Sequence, residues 1–287
     1  MANAILAAPN RIEAATLSGG DWLAGSRPNL ASRPYGQAAQ SNGLNPTATQ
    51  FTLTLDQPRS LRVLALLAHN LGSLAQVRWR VSLDAAFSQS VFDSGWSPVW
   101  PALPTPDMRW SDANWWSGTL DEERRAFYPR HHFTVLPDER LGAFVRCELN
   151  DPSNPDGAIK IGRAGVYDGW QPIINFSYGA KLGHETSERI VKSEAGLPYS
   201  SGGNVGRVAQ IAFEHLSATE ARAMMDLERR LGLAGELIYI ADPADPGSFT
   251  HQAFPARLRE LSPIDWVGFD TRQKSFLLEE LIQGSGT

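Results

Sequence analysis

Between residues 77 and 83 the chain alternates strictly, with Val77, Trp79, Val81 and Leu83 on one phase and Arg78, Arg80 and Ser82 on the other. Side chains along an extended strand point to opposite faces in turn, so this pattern puts an apolar face into a core and a charged face into solvent. The same period recurs at Phe51, Leu53 and Leu55 against Thr52, Thr54 and Asp56, and at Val145, Cys147 and Leu149 against Arg146 and Glu148. Leu61 to Leu67 is a nearly unbroken apolar run, which suits a strand covered on both faces. Ile159 and Ile161 predict a shorter strand before Gly162. A chain with these repeats is committed to a β-scaffold over its first half.

The segments between are loops. The first 50 residues are rich in Gly, Pro, Ser and Asn, which predicts short strands separated by turns. Residues 94–129 form a long irregular stretch dense in Trp, Pro and Asp, with one short polar helix over Leu120–Phe127. Long loops on a β-scaffold are where function concentrates.

The pattern changes after residue 168. Ile173–Tyr178 reads as a strand, followed by a Gly- and Ser-bearing stretch to Gly206, after which Ala209, Ile211 and Phe213 alternate with Gln210 and Ala212. Ser217-Ala218-Thr219-Glu220 is a capping box, Ala221, Met224, Leu227 and Leu231 follow at helical spacing, and Gly232 supplies the stop. Strands over Leu237–Ile240, Phe254–Leu258 and Phe276–Leu281 complete the region, with a turn-rich loop at Asp242–Gly247. One helix among strands makes an α+β unit. The 287 residues therefore divide into a β-sandwich over 1–168 and a smaller α+β domain over 169–287, and an apolar fraction of 42% is enough to pack both.

Charge and motifs exclude several functions. The formal net charge is −5 with no basic stripe, so nucleic acid is not an expected partner. No window approaches the roughly 20 apolar residues that span a bilayer, so membrane insertion is not expected, and the N-terminus lacks the basic start of a signal peptide. The lone Cys147 rules out an intramolecular disulfide framework, and its place on an alternating strand makes it an inward-facing small hydrophobe rather than a nucleophile. There is no G-x-S-x-G elbow, no H-E-x-x-H and no P-loop; the glycine pairs at Leu17–Gly20 and Ser200–Gly203 read as turns. No catalytic residue, resident metal or cofactor is assigned.

Three places remain as candidate sites. His131 and His132 are adjacent on a strand, so their rings point to opposite faces and cannot easily share a metal. Asp151, Asn154 and Asp156 in the Asp151–Gly157 loop offer oxygens for Ca²⁺, yet they are also the residues that any tight connection uses. The strongest is aromatic. Five of the nine tryptophans fall between 96 and 116, and Trp96, Trp100, Trp110, Trp115 and Trp116 with Asp107, Arg109, Asp112 and Asn114 form a candidate carbohydrate site. Indoles cover the flat C–H faces of a sugar while the polar neighbours take its hydroxyls. The competing reading has the rings clamp the loop to the sandwich or seal a subunit contact.

Phe51–Asp56, Arg62–Leu67 and Val77–Ser82, with Phe144–Leu149 and Ile159–Gly162 near the end, resemble a galactose-binding-like (discoidin-like) jelly roll over residues 10–168. The phrases Leu66–Asn70, Phe92–Trp96, Asn154–Gly157, Ile161–Arg163, Gly169–Pro172 and Tyr178–Gly179 resemble tail proteins encoded by phages and prophages. That resemblance implies a distal-tail or baseplate-like structural protein. Its second domain would form a ring homo-oligomer, a hexamer, in contact with the tail tube and hub, and its jelly roll would project outward towards host-surface glycan. It implies a virion location after assembly in the bacterial host cytoplasm, and no catalytic residues. Discoidin-type binders often carry a disulfide, which a single cysteine cannot make. The alternative is a carbohydrate-binding module fused to a small glycan-active or scaffold domain. A glycosidase would need paired carboxylates from Glu185, Glu188, Glu194, Glu220, Glu236, Glu279 and Glu280, most of which read as solvated charges.

Overall fold

A computed structural model describes residues 2–102, 108–112, 114–120, 122–193 and 197–282. The first part of the chain contributes β1 (Ile5–Asn10), β2 (Thr16–Ser18), β3 (Ala39–Gln40), β4 (Phe51–His69), β5 (Gln76–Ser82), β6 (Ser90–Asp93), β7 (Ser97–Pro98), α1 (Glu122–Phe127), β8 (His131–Asn150) and β9 (Lys160–Trp170). The second contributes β10 (Lys181–Thr186), β11 (Ile190–Lys192), β12 (Pro198–Ser200), β13 (Val205–Leu216), α2 (Ala218–Leu231), β14 (Leu237–Ile240), α3 (Phe249–Gln252), β15 (Ala253–Leu258), β16 (Asp265–Trp266) and β17 (Arg272–Glu280). The protein is mainly β, as its alternation requires.

The two apolar segments at 51–55 and 61–67, expected as separate strands, are one. β4 runs 19 residues and pairs antiparallel with the 20-residue β8, and the register shifts between Thr54 and Arg59 and again between Leu61 and Val63. Pro58, which has no N–H to give to a ladder, falls in the first shift. These irregularities let both strands serve two layers. The leading segment of β4 pairs with β2 and with the trailing segment of β8, and β5 joins beyond that through Trp79 opposite Cys147. The trailing segment of β4 pairs with the start of β8 and with β9. A single core lies between, with Phe51, Trp79, Val81, Val145 and Cys147 from one layer meeting Leu64, Leu66, Ile161 and Val166 from the other. That arrangement is a sandwich. Each fully buried aliphatic or aromatic side chain contributes about 1.5–3 kcal/mol.

β9 does not stop at Gly162 but continues to Trp170. Gly162 is there for close approach, since a β-carbon on it would fall 2.6 Å from the Tyr35 carbonyl oxygen. The prolonged strand meets β1, and β1 pairs on its other side with β14, from which the sheet runs on through β15, β17 and β13 to β10. The N-terminal strand thus joins the two halves, and the expected boundary at 168 lies inside β9. Leu6 enters the core beneath α2 with Phe213, Met224, Leu237, Phe254 and Phe276. Ile5 and Ala7 enter a second cluster with Val63, Leu67, Phe133, Tyr167, Ile238 and Ile240, drawn from both halves.

The capping box forms as its sequence predicts: the Ser217 hydroxyl accepts the Glu220 N–H, and the Glu220 carboxylate accepts the Ser217 N–H at 3.0 Å. One expectation fails. Residues 173–178 are not a strand, because their polar groups are satisfied elsewhere. The Ile173 N–H donates to Glu220, the Ser177 N–H to the Ala212 carbonyl, and the Asn175 side chain accepts the Ala4 N–H. The Gly- and Ser-bearing stretch up to 206 holds a projecting hairpin, with β10 paired to β13 and β11 to β12, and every residue of β10, β11 and β12 exposed.

Candidate functional site

The loop between β7 and β8 is anchored at intervals. Val99, Trp100, Met108 and Leu120 are buried, and the described residues between Met108 and Leu120 are half-buried or exposed. Residues 109–119 are shaped by their own hydrogen bonds. The Arg109 N–H donates to the Asp112 carboxylate and the Asp112 N–H to the Arg109 carbonyl, both at 2.9 Å. The Trp115 N–H donates to the Asp112 carbonyl, the Ser117 and Gly118 N–H groups to the Asn114 carbonyl, and the Asn114 side chain reaches the Thr119 carbonyl at 2.5 Å. Such Asx-type closures give short loops a fixed shape without a core.

The result is a cluster of three indoles. Trp110 stands 5.4 Å from Trp115 and 5.7 Å from Trp116 between ring centroids, tilted and edge-on. Trp110 is 73% exposed and Trp116 85%. Trp110 and Trp116 therefore face outward, with the half-buried Trp115 packed beside Trp110. An exposed aromatic cluster flanked by Arg109, Asp112 and Asn114 offers apolar faces with polar groups at its margin. One carboxylate oxygen of Asp112 and the Asn114 amide nitrogen already hold the loop.

The rest of the nominated set divides. Trp100 is a core residue, 5% exposed, with its Nε1 donating to the Leu71 carbonyl at 3.1 Å, its ring 5.5 Å from His69 and the Arg125 guanidinium over its face. It is withdrawn from the ligand set because the loop needs it as an anchor. Trp96 is half exposed on the connection between β6 and β7, outside the stacked cluster. Asp107 lies outside the described residues.

The oxygen-rich loop is a structural turn. Asp151 is buried, and its carboxylate accepts the Gly72 N–H at 2.8 Å and the Asn154 side chain at 2.9 Å. Asn154 also accepts the Asp156 N–H, and Asp156 takes Asn70 and Lys160, each at 3.0 Å. The candidate calcium oxygens are thus spent on protein donors, and among the described residues no group of His, Cys, Asp or Glu is placed to hold a metal ion.

His131 and His132 diverge as alternation requires. His131 Nδ1 accepts the Ala68 N–H, while His132 bonds the Val99 carbonyl at 2.8 Å and the Thr134 hydroxyl. Burial pulls their pKa values down to about 3 and about 4, and holds that of the fully buried His69 well below the ordinary value. Burial raises the Cys147 thiol far from the thiolate form.

The glutamates that a glycan-cleaving reading needs are engaged. Glu280 pairs with Arg207, Glu279 with Arg257 and Glu185 with Arg259 around a cleft of about 430 Å³. Burial acts against the charge of Glu220, but the Ile173 N–H and Ser217 hold its carboxyl below the usual range. Glu236 lies in a buried network between the halves, Glu188 receives only the Ser200 hydroxyl at 3.5 Å, and Glu194 is outside the described residues.

One exposed apolar surface was missed in the sequence. The second half exposes Leu182, Ile190, Val191, Leu197, Tyr199 and Val205 along its projecting hairpin. It also exposes Trp266, Val267 and Phe269 on the turn between β16 and β17. The signal was present as apolar residues inside turn-like segments, at Arg189–Lys192 and Asp265–Asp270.

No protein-family model matches the sequence, and no curated protein matches it. Among solved structures the chain is similar to CpGH89CBM32-6 from Clostridium perfringens, with 14% identity and a TM-score of 0.35 over 56% of this chain and 100% of the other. It is similar to CBM32-1 from a family 31 glycoside hydrolase of the same organism, with 12% identity and a TM-score of 0.35 over 55% and 97%. A family 32 carbohydrate-binding module from C. perfringens NanJ, solved in complex with galactose, gives 10% identity and a TM-score of 0.37 over 57% and 99%. At these scores the likeness decides nothing about this chain, whose β-sandwich stands on its own strand order and core.

Proposed function

We propose that this protein is a non-enzymatic binding and assembly protein, a structural component of a phage tail tip. Its second half joins copies into a ring, and its sandwich presents Trp110, Trp115 and Trp116 to a host-surface carbohydrate. The observation that carries the reading is where the fold leaves large apolar side chains in water. They gather on the indole cluster at the sandwich and on the hairpin and turn of the second half. Contiguous apolar surface of this kind marks sites of interaction. The phage setting rests on the sequence resemblance alone.

The non-enzymatic part is supported by the state of the reactive groups. Cys147 and His69 are buried and His131 and His132 half-buried, burial favours the neutral form of all four, and the glutamates around the second-half cleft are tied to arginines.

Glycan-array binding of the full chain tests the carbohydrate part. The parent protein is expected to bind a defined set of glycans, and Trp110→Ala with Trp116→Ala to lose at least tenfold in affinity while keeping the parent's thermal midpoint. Binding that survives the double substitution would place the ligand elsewhere.

A further inference from the structure

The projecting hairpin is an element the fold does not support by itself. Its outer part, β11 with β12, pairs with no other strand among the described residues, and both strands are exposed throughout. A two-stranded ribbon is marginal in water without a third strand or a covering surface. Yet it carries Ile190 and Val191 on adjacent positions, hence one on each face, with Val191 opposite Tyr199. Arg189 and Lys192 bracket this apolar pair, and neither forms an ion pair among the described residues.

The turn between β16 and β17 has the opposite character. Asp265 and Asp270 bracket Trp266, Val267 and Phe269, and Phe269 is 97% exposed. Neither aspartate forms an ion pair among the described residues. The Arg272 guanidinium lies over the Trp266 ring at 4.5 Å and fixes the turn's shape.

The two features lie at opposite ends of one strand. Val205, at the start of β13, is paired with Thr186 at the root of the hairpin, while Leu216, at its end, is paired with Arg272 beside the acidic turn. The 12 residues of β13 separate them by roughly 36 Å. One molecule cannot bring its own basic hairpin onto its own acidic turn.

We propose that a second copy of this chain is the occupant: the Arg189–Lys192 segment of one molecule seats on the Asp265–Asp270 turn of the next. Each aspartate faces a cation, and the apolar residues between them are covered together. Because the two patches are different and lie at opposite ends, the contact is head-to-tail and heterologous, the kind that closes rings. This inference rests on the assembly reading above and names its interface.

The test uses the full chain, light scattering, and two charge-reversed variants, R189E with K192E and D265K with D270K. The parent is expected to form an oligomer of defined mass. Each variant alone is expected to fall to a monomer of 31.4 kDa, since its hairpin and turn then carry like charge. An equimolar mixture of the two is expected to assemble again with strict 1:1 content, and so is a chain bearing all four reversals. A variant that loses the parent's circular-dichroism spectrum is replaced by Phe269→Ser, which keeps the charges and is likewise expected to be monomeric. If the parent assembles and the variants assemble as it does, or if the fourfold reversal stays monomeric, this interface is overturned while assembly stands. A parent that is monomeric at every concentration overturns the assembly reading, and this interface with it.

Discussion

Glu236 places a carboxylate in the interior between the two halves of the molecule. Its carboxylate accepts the Tyr35 hydroxyl at 3.1 Å, the Tyr167 hydroxyl and the Asn10 side chain, with the Arg163 guanidinium at 3.3 Å. Arg163 is fully buried and has Glu13 as its other carboxylate. Burial, followed by the neighbouring Glu236 charge, raises both tyrosines and keeps them protonated as donors. Removing one member of such a network strands the rest. Glu236→Ala is expected to cost about 3–5 kcal/mol in denaturant unfolding, against a few tenths for an exposed glutamate such as Glu188.

The imidazoles of the half-buried His132 and the buried His69 make a second residue-scale expectation. His132 is held near 4 in the folded state against an ordinary value of 6.5, and burial holds His69 down as well. The unfolded chain therefore binds more protons between those values, so stability rises with pH across that window. It is fully present above about 6.5 and falls as the pH drops towards 4. Denaturant midpoints at pH 7.5 and 5.0 check this, with about 2 kcal/mol expected from His132 alone. The His132→Gln variant should lose part of that slope.

At the level of elements, legibility followed how local the determinants were. The helix α2 was readable to its ends because Ser217, Glu220 and Gly232 act within one turn of where they stand. Ser217→Ala is expected to lower stability by about 1 kcal/mol, measured by chemical denaturation. The strands around Trp79, Cys147 and Phe213 were readable because one face of each is buried. The union of residues 51–69 into one strand was not, since it depends on a register shift against β8. The strands β10, β11 and β12 were hidden because both their faces are exposed, so no alternation betrays them. In the candidate site, Trp110 and Trp100 look alike in sequence. Their difference lies in Leu71 and His69, which give Trp100 a partner and a wall.

For the whole molecule, the sequence suggested two units and the strand order joins them through β1. Residues 5–10 hydrogen-bond to β9 and β14 and feed both the core under α2 and the shared cluster, so neither half is completed by its own segment alone. A continuous sheet gives the two halves a fixed relation, which suits the proposed presentation of a binding loop from a larger particle.

The claim that the second half assembles copies of this chain is tested most directly by the mass of the full-length protein in solution. Light scattering across a hundredfold range of concentration is expected to give one species at an integral multiple of 31.4 kDa, six being the multiple that the resemblance to tail-tip proteins implies. A mass that stays at 31.4 kDa throughout would contradict the account and leave a monomeric binding protein in its place.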